Sequence, residues 1–369
     1  MAKFLFWVSP EPGHILPTID LSFALRARGH VIYYHTCGEI MHELNEMGFQ
    51  AVPSFRQFAA TLPPRSLKHP VGPTTAFEAT LQARFGHISE YFSYLRKDLL
   101  NALQDVQPDV LVLDAVKDWR LIKECDDFVR TLGPQVSTVR LSFQLGYRSG
   151  VGAWKGSPLA VLCPKELEFS DQIDACAVYG EPSLFRGFGT LEEHDLSLFI
   201  SKPIVYITFG SQVDEYPRIR DLMNNILVLA SLEPRYNYVI TSASRLLESE
   251  LASNVYFVPH RVHRDVLRAA SAMICHGGLG SIKDAIDACI PMLIIPQRWD
   301  QHANAKRVAV HSLGTSMSTN LASPELLKSA LNAIMSSPSI DEGLKRMKAH
   351  FETYRMSCAL VNFCEEAAR

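Results

Sequence analysis

Short apolar runs, each stopped by glycine, proline or a charged residue, alternate along this 369-residue chain with longer segments of helical spacing. Phe4–Ser9 is such a run, closed by Pro10. A short continuous apolar run reads as a strand covered on both faces of a parallel sheet. Pro10 to His14 reads as a loop. Leu16, Ile19, Phe23 and Ala27 then fall three and four residues apart, Arg26 and Arg28 crowd the last turn, and Gly29 closes the segment. That is the pattern of a helix with its stop signal. Val31–His35 is the next strand, and Ile40, Leu44 and Met47 mark a helix ended by Gly48. Strand–helix–strand–helix predicts a doubly wound α/β domain.

Residues 60–75 are proline-rich and polar, a loop. Phe77, Leu81, Phe85, Ile88, Phe92, Leu95, Leu99 and Leu103 form a stripe at helical spacing, one amphipathic helix or two in tandem. Core packing explains such a stripe. Phe85 on it, and Tyr91 and Tyr94 beside it, are also candidates to line a pocket. Pro108–Asp114 is a strand ending on an acid. A carboxylate at the carboxyl end of a parallel strand stands where open α/β sheets hold their ligands. Val136–Phe143 is the following strand, and Leu159–Val161 and Ala175–Tyr179 are predicted edge strands. The stretch from Gly180 to about Thr190 reads as a linker. The rhythm restarts at Pro203–Phe209, with Gly210 and Ser211 as its glycine turn, and Tyr238–Thr241 and Val255–Val258 are further strands. The predicted division is 1–185, 186–350 and a helical tail, 351–369.

The richest stretch runs from Ser271 to Val308. Its apolar run Ala272–Cys275 stops at His276-Gly277-Gly278-Leu279-Gly280. Ser281 then starts a helix, with Asp284 three residues on, as in a capping box. Met292–Ile295 is a strand, and the polar loop after it opens a second helix for which Asp300 is a natural N-cap. A glycine turn feeding a helix aims free N–H groups and the positive end of the dipole at one point, a seat for a phosphate.

Composition changes this picture little. A net charge of −3 gives no reason to expect nucleic acid as a partner. Eight scattered cysteines with no Cys-x-x-Cys pair predict reduced thiols and a cytoplasmic location. No apolar run reaches the roughly 18 residues of a membrane span. His260, His263 and His302 do not fall at metal-ligand spacing, so no metal site is predicted.

The ordered string His276, Gly277-Gly278, Gly280-Ser281, Asp284, then Pro296-Gln297-x-x-Asp300-Gln301 and Asn304, resembles the donor-binding segment of the UDP-sugar-dependent natural-product glycosyltransferases (family 1), above all their bacterial macrolide branch. Gly13-His14-Ile15-Leu16-Pro17 resembles the Gly-His-x-x-Pro turn of the same family. The resemblance covers nearly the whole chain. It implies the GT-B fold: two Rossmann-like doubly wound domains facing across a cleft, acceptor on the first, nucleotide sugar on the second, and a last helix packing back on the first. It implies that His14 deprotonates an acceptor hydroxyl with Asp114 as its support. Gly210, Ser211, His276, Ser281 and the N–H groups of Gly278 and Gly280 would meet the diphosphate. Phe257 and Val258 stand near the position of the base-stacking aromatic. Asp284 stands where the family has a glutamate for the ribose, although capping explains it equally well. Asp300 and Gln301 would take the sugar hydroxyls, and Phe85 and Tyr91 the acceptor. The implied reaction is an inverting, metal-independent transfer from a UDP- or dTDP-sugar to a small-molecule hydroxyl, without other cofactors, by a monomer or dimer.

Three departures qualify the likeness. Leu16 replaces a frequent asparagine, Asp284 is one methylene shorter than the glutamate, and residues 144–163 lack a helical segment that encloses the acceptor in relatives. An alternative therefore stays open, a non-catalytic nucleotide-sugar-binding partner of the same fold. Other GT-B enzymes, such as an epimerase or a cell-wall hexosaminyl transferase, fit the Gly-His-x-x-Pro turn and the Asp–Gln pair less well.

Overall fold

The computed structural model describes residues 1–55, 85, 88–115, 136–146, 157–182, 201–210, 212–241, 252–258 and 263–369. It divides into two compact units, residues 1–186 with 353–369, and residues 187–352. Most of the predicted linker, half of the shortened 144–163 region, Ser211, and the first part of the aromatic stripe lie outside the described residues. No described helix is long and apolar enough to cross a membrane.

Unit 1 holds a parallel sheet of β1 (Lys3–Trp7), β2 (Val31–Thr36), β3 (Gln50–Pro53), β4 (Val110–Asp114), β5 (Ser137–Ser142), β6 (Leu159–Val161) and β7 (Val178–Tyr179), in the order β3-β2-β1-β4-β5-β6-β7. The central strands are buried at almost every position, which is why they read as unbroken apolar runs rather than alternating ones. Helices α1 (Pro12–Ala27), α2 (Glu39–Glu46) and α3 (Ile88–Val106) belong to this unit. Leu95, Leu99, Ala102, Leu103 and Val106 of α3 bury against Leu5, Trp7, Leu111 and Leu113 of the sheet. The described part of the stripe is thus one core-facing helix.

One boundary differs from the sequence reading in a way that matters. Helix α1 begins at Pro12, so His14 lies in its first turn and not in a loop. Proline suits the first helical position, because its φ is already helical and its missing N–H would have had no partner there. The Glu11 carbonyl accepts from the N–H groups of His14 (2.9 Å) and Ile15 (3.0 Å) and closes that turn. A second anchor holds α1 to the sheet. The hydroxyl of Tyr34 on β2, fully buried, is hydrogen-bonded to Thr18 and Ser22 of α1, both at 2.7 Å. Burial raises the Tyr34 phenol well above its ordinary range, so it stays neutral.

Unit 2 holds a parallel sheet of β8 (Ile204–Thr208), β9 (Asn237–Thr241), β10 (Val255–Val258), β11 (Ala270–Cys275), β12 (Met292–Ile294) and β13 (Gly314–Ser316), in the order β10-β9-β8-β11-β12-β13. Around it run α4 (Ile219–Leu232), α5 (His263–Ala269), α6 (Leu279–Ala288), α7 (Gln301–Val310), α8 (Pro324–Met335) and most of α9 (Pro338–Ser357). A core from β8, β9, β11, α4 and α8 includes Val205, Ile207, Leu222, Ile226, Ile240, Ile274 and Leu331.

The chain then rejoins unit 1 through α10 (Ala359–Ala367). Glu365 on α10 accepts from Arg28 (2.7 Å) and pairs with His30 (3.0 Å). The hydrogen bond from His30, then that from Arg28, hold its carboxyl below the usual range.

Replacing Tyr34 by Phe leaves two buried hydroxyls on α1 without their shared partner. The expected cost is about 1–3 kcal/mol of stability, read as a lower urea midpoint at unchanged slope. An unchanged midpoint would show that α1 is held by apolar packing alone.

Candidate functional site

Both sheets change winding direction once, between β1 and β4 in unit 1 and between β8 and β11 in unit 2. Connections leave such neighbouring strands toward opposite sides, so a crevice opens at their carboxyl ends. The chemistry-bearing residues of each unit gather there.

In unit 1 the chain leaves β1, turns into α1 and presents His14; β4 ends beside it on Asp114. His14 Nδ1 lies 2.6 Å from Asp114 Oδ2. The Asp114 side chain is fully buried while that of His14 is 25% exposed. A buried carboxylate is stable only when hydrogen-bonded or paired, and as an anion it can only accept. The proton of neutral His14 is therefore on Nδ1 and its ring lone pair on Nε2. The pair thus combines an oriented imidazole with an anion able to stabilise the imidazolium. Phe143, just past β5, meets the imidazole edge-on with ring centroids 5.9 Å apart. Predicted strand residue though it was, its place against His14 was not foreseen.

In unit 2 the turns after β8 and β11 close on one imidazole. His276 is only 8% exposed. A Cβ on Gly210 would lie 2.9 Å from the ring, and a Cβ on Gly278 would lie 2.6 Å from its Nε2. Gly210 also has φ of +74°, a left-handed value that favours glycine. Burial pushes His276 down to about 4, with the Thr208 backbone opposing only part of that shift. At neutral pH the ring is uncharged. Its Nδ1 has no protein partner among the described residues.

Helix α6 starts at Leu279 with Gly278 as N-cap, and no side chain caps it. This corrects the capping-box reading. Ser281 is the third helical residue and Asp284 the sixth, so neither caps this end. The first-turn N–H groups of α6 stand uncapped by any side chain, beside His276. Asp284, half-buried, adds its charge to the neighbourhood of the buried Tyr206 phenol.

The loop from Gln297 into α7 is bound to this turn. Asn304 donates to the Gly277 carbonyl (3.0 Å) and to Asp300 Oδ2 (2.9 Å). Asp300 occupies the N-cap position but makes no side-chain cap. Gln301 is 3% exposed and turned into the protein. Tyr216, Arg298 and the 60% exposed Trp299 complete this loop's surroundings. None of the three carries a motif; Trp299 is marked only by its left-handed φ of 52°.

The remaining candidates are placed differently. Phe257 and Val258 end the edge strand β10, three strand spacings from β11, on the order of 14 Å. Phe257 is partly buried against the unit 2 core. Phe85 and Tyr91 are partly buried on the core under α3, with ring centroids 5.5 Å apart in a cluster that also includes Tyr94 and Phe55. The described contacts give these aromatics packing roles. No cluster of metal-ligating side chains occurs among the described residues.

Two all-parallel doubly wound units, each with its polar residues at the switch point, make up the GT-B fold. Comparison with known proteins agrees. Residues 236–366 match the family described as Erythromycin biosynthesis protein CIII-like, C-terminal domain. NDP-glycosyltransferase YjiC of Bacillus subtilis (strain 168) is 23% identical across 92% of the chain and 90% of its own length. Demethyllactenocin mycarosyltransferase of Streptomyces fradiae is 23% identical across 94% of the chain and 82% of its own length. Among solved structures, the glycotransferase of kitacinnamycin superposes with a TM-score of 0.76 at 17% identity over 99% of each chain. Spinosyn forosaminyltransferase SpnP does so at 0.75 and 20% identity, over 100% of this chain and 99% of its own. Along nearly its whole length the chain is similar to natural-product glycosyltransferases, and its fold is GT-B.

The buried neutral His276 has a consequence for stability. Its folded pKa, about 4, lies below the ordinary 6.5, so between those values the unfolded chain binds the extra proton. Its contribution is fully present above pH 6.5 and is lost as pH falls toward 4. The expected slope is roughly 1 kcal/mol per pH unit in that window, measured by denaturant unfolding. His276→Gln should flatten the slope over that window, and an unaltered slope would count against a buried neutral ring.

Proposed function

We propose that this glycosyltransferase is an inverting, metal-independent enzyme that moves a sugar from a UDP- or dTDP-sugar to a hydroxyl of a small-molecule acceptor. The observation that carries this reading is the 2.6 Å contact between His14 Nδ1 and Asp114 Oδ2. It orients Nε2 as a base and places an anion where the imidazolium forms. Nothing in a binding-only protein calls for a partly exposed imidazole held this way by a fully buried carboxylate.

In the proposed reaction, His14 Nε2 takes the proton of the acceptor hydroxyl. The oxygen attacks the anomeric carbon from the face opposite the diphosphate, and the bond from that carbon to the diphosphate oxygen breaks. Attack from the opposite face inverts the configuration. The departing diphosphate gathers negative charge, which the uncapped N-terminus of α6 is suited to stabilise through its N–H groups and dipole. His276 beside it is neutral and adds no buried charge of its own. These groups supply what a metal ion would otherwise supply. Several similar proteins have names that fit this chemistry. One solved relative, the spinosyn rhamnosyltransferase SpnG, is described in complex with thymidine diphosphate and in another structure with spinosyn aglycone.

His14→Ala should lower turnover about 100- to 10,000-fold, the range of a lost general base, while nucleoside diphosphate binding stays within twofold. The measurement is acceptor-dependent release of nucleoside diphosphate alongside a binding titration. Turnover equal to that of the unaltered protein would remove His14 from the base role. Absence of acceptor-dependent release from the unaltered protein, with donor still bound, would favour a nucleotide-sugar-binding partner.

A further inference from the structure

Asp300 stands at the N-cap position of α7 without capping it, and the reason lies four residues on. A capping residue takes an extended backbone, from which its side chain reaches the first N–H groups of the helix. Asp300 has φ of −68° and ψ of −12°, already helical. Its Oδ2 instead accepts from Asn304 Nδ2 at 2.9 Å. The other Nδ2 hydrogen goes to the Gly277 carbonyl at 3.0 Å. Asn304 Oδ1 accepts from Arg307 Nη1 at 3.3 Å, and Asn304 and Arg307 are only 1% and 2% exposed. Nδ2 thus faces two groups that only accept, and Oδ1 a group that only donates. The buried amide has a single orientation, and both of its hydrogens are used.

Each of the two donated bonds fixes something that the chain leaves loose. The Gly277 carbonyl belongs to the one peptide of the His276–Gly280 turn that has glycine on both sides, and Gly277 has φ of +88°. Two glycines leave that peptide free to rotate. In a planar trans peptide the C=O and N–H point in opposite directions. With the carbonyl drawn onto α7, the N–H of Gly278, the N-cap of α6, is turned away from α7. The second bond holds the half-buried Asp300 carboxylate against rotation about its own side chain.

We propose that Asn304 is a positioning residue that sets two parts of the donor seat at once, the Gly277–Gly278 peptide for the diphosphate and the Asp300 carboxylate for the sugar. Arg307 holds the same amide by its oxygen. This rests on reading unit 2 as the nucleotide-sugar site, with Asp300 as a contact to the sugar.

The test separates diphosphate from sugar. UDP, dTDP, UDP-glucose and dTDP-glucose are titrated into the full chain and into Asn304→Asp, Asp300→Ala and the double variant, with circular dichroism confirming the fold of each. Asn304→Asp keeps the size of the side chain and an acceptor for Arg307, but its carboxylate donates to neither Gly277 nor Asp300. It should weaken the bare diphosphates about tenfold and the sugar forms about a hundredfold, so that the ratio of sugar-form to bare-form affinity falls about tenfold. Asp300→Ala should lower the same ratio by a similar factor. Adding Asn304→Asp to Asp300→Ala should weaken bare and sugar forms alike and lower the ratio no further. Should Asn304→Asp fail to fold, Asn304→Ala carries the same comparison. A side chain that only supports the fold would weaken both forms by one factor in either background. That outcome, or unchanged affinity for the bare diphosphates, would overturn the proposal. An unchanged ratio in Asp300→Ala would remove Asp300 from the sugar and the proposal with it. An unaltered chain that binds none of the four ligands would overturn the nucleotide-sugar reading itself.

Discussion

The direction in which each strand hands the chain onward governs the rest of this molecule. Right-handed crossovers carry the chain away from β1 on one side and from β4 on the other, and the same happens at β8 and β11. Only there can two loops part and leave backbone N–H groups and polar side chains uncovered in an otherwise sealed parallel sheet. The two units place a histidine at this point by the same topology, one at the start of α1 and one before α6.

The two histidines sit in contrasting surroundings. His14 keeps a quarter of its side chain exposed and is paired with a buried carboxylate. His276 is enclosed between two glycine turns, and burial keeps it neutral far below neutral pH. The same residue type is thereby set in two environments, one partly open and paired with a carboxylate, the other enclosed. Neither state could be exchanged for the other without rebuilding the turns, since any side chain at Gly210 or Gly278 would occupy the space of the second ring.

Much of the fold was legible because parallel strands covered on both faces must be apolar at nearly every position. Phe4 to Trp7, Val110 to Leu113 and Ile204 to Ile207 could scarcely be read otherwise. The two switch-point motifs were legible too, since glycines and histidines at strand ends stand out against apolar runs. Helix starts were less so. Pro10 and Pro12 looked like loop residues, yet Pro12 opens α1, and Ser281 and Asp284 had capping spacing on a helix that begins two residues before Ser281. What stayed hidden were contacts between distant segments. Tyr216 lies 85 positions from the Gln301 amide it meets, and no local pattern announces such a pairing. Phe85 and Tyr91 were hard to assign for a related reason, because an aromatic near a helical stripe looks the same whether it faces a ligand or a core.

The return of α10 to unit 1 makes that unit discontinuous, with residues 353–369 joining residues 1–186 across the whole of unit 2. Unit 2 is contiguous and has its strands and core within residues 187–352. During synthesis the usual order of N-terminal before C-terminal folding is therefore reversed in its final step. The second unit can be complete while the first still waits for Glu365 to reach Arg28 and His30. The unit that carries His14 is finished last, so a ribosome-bound chain would hold a formed second unit before its first unit had closed.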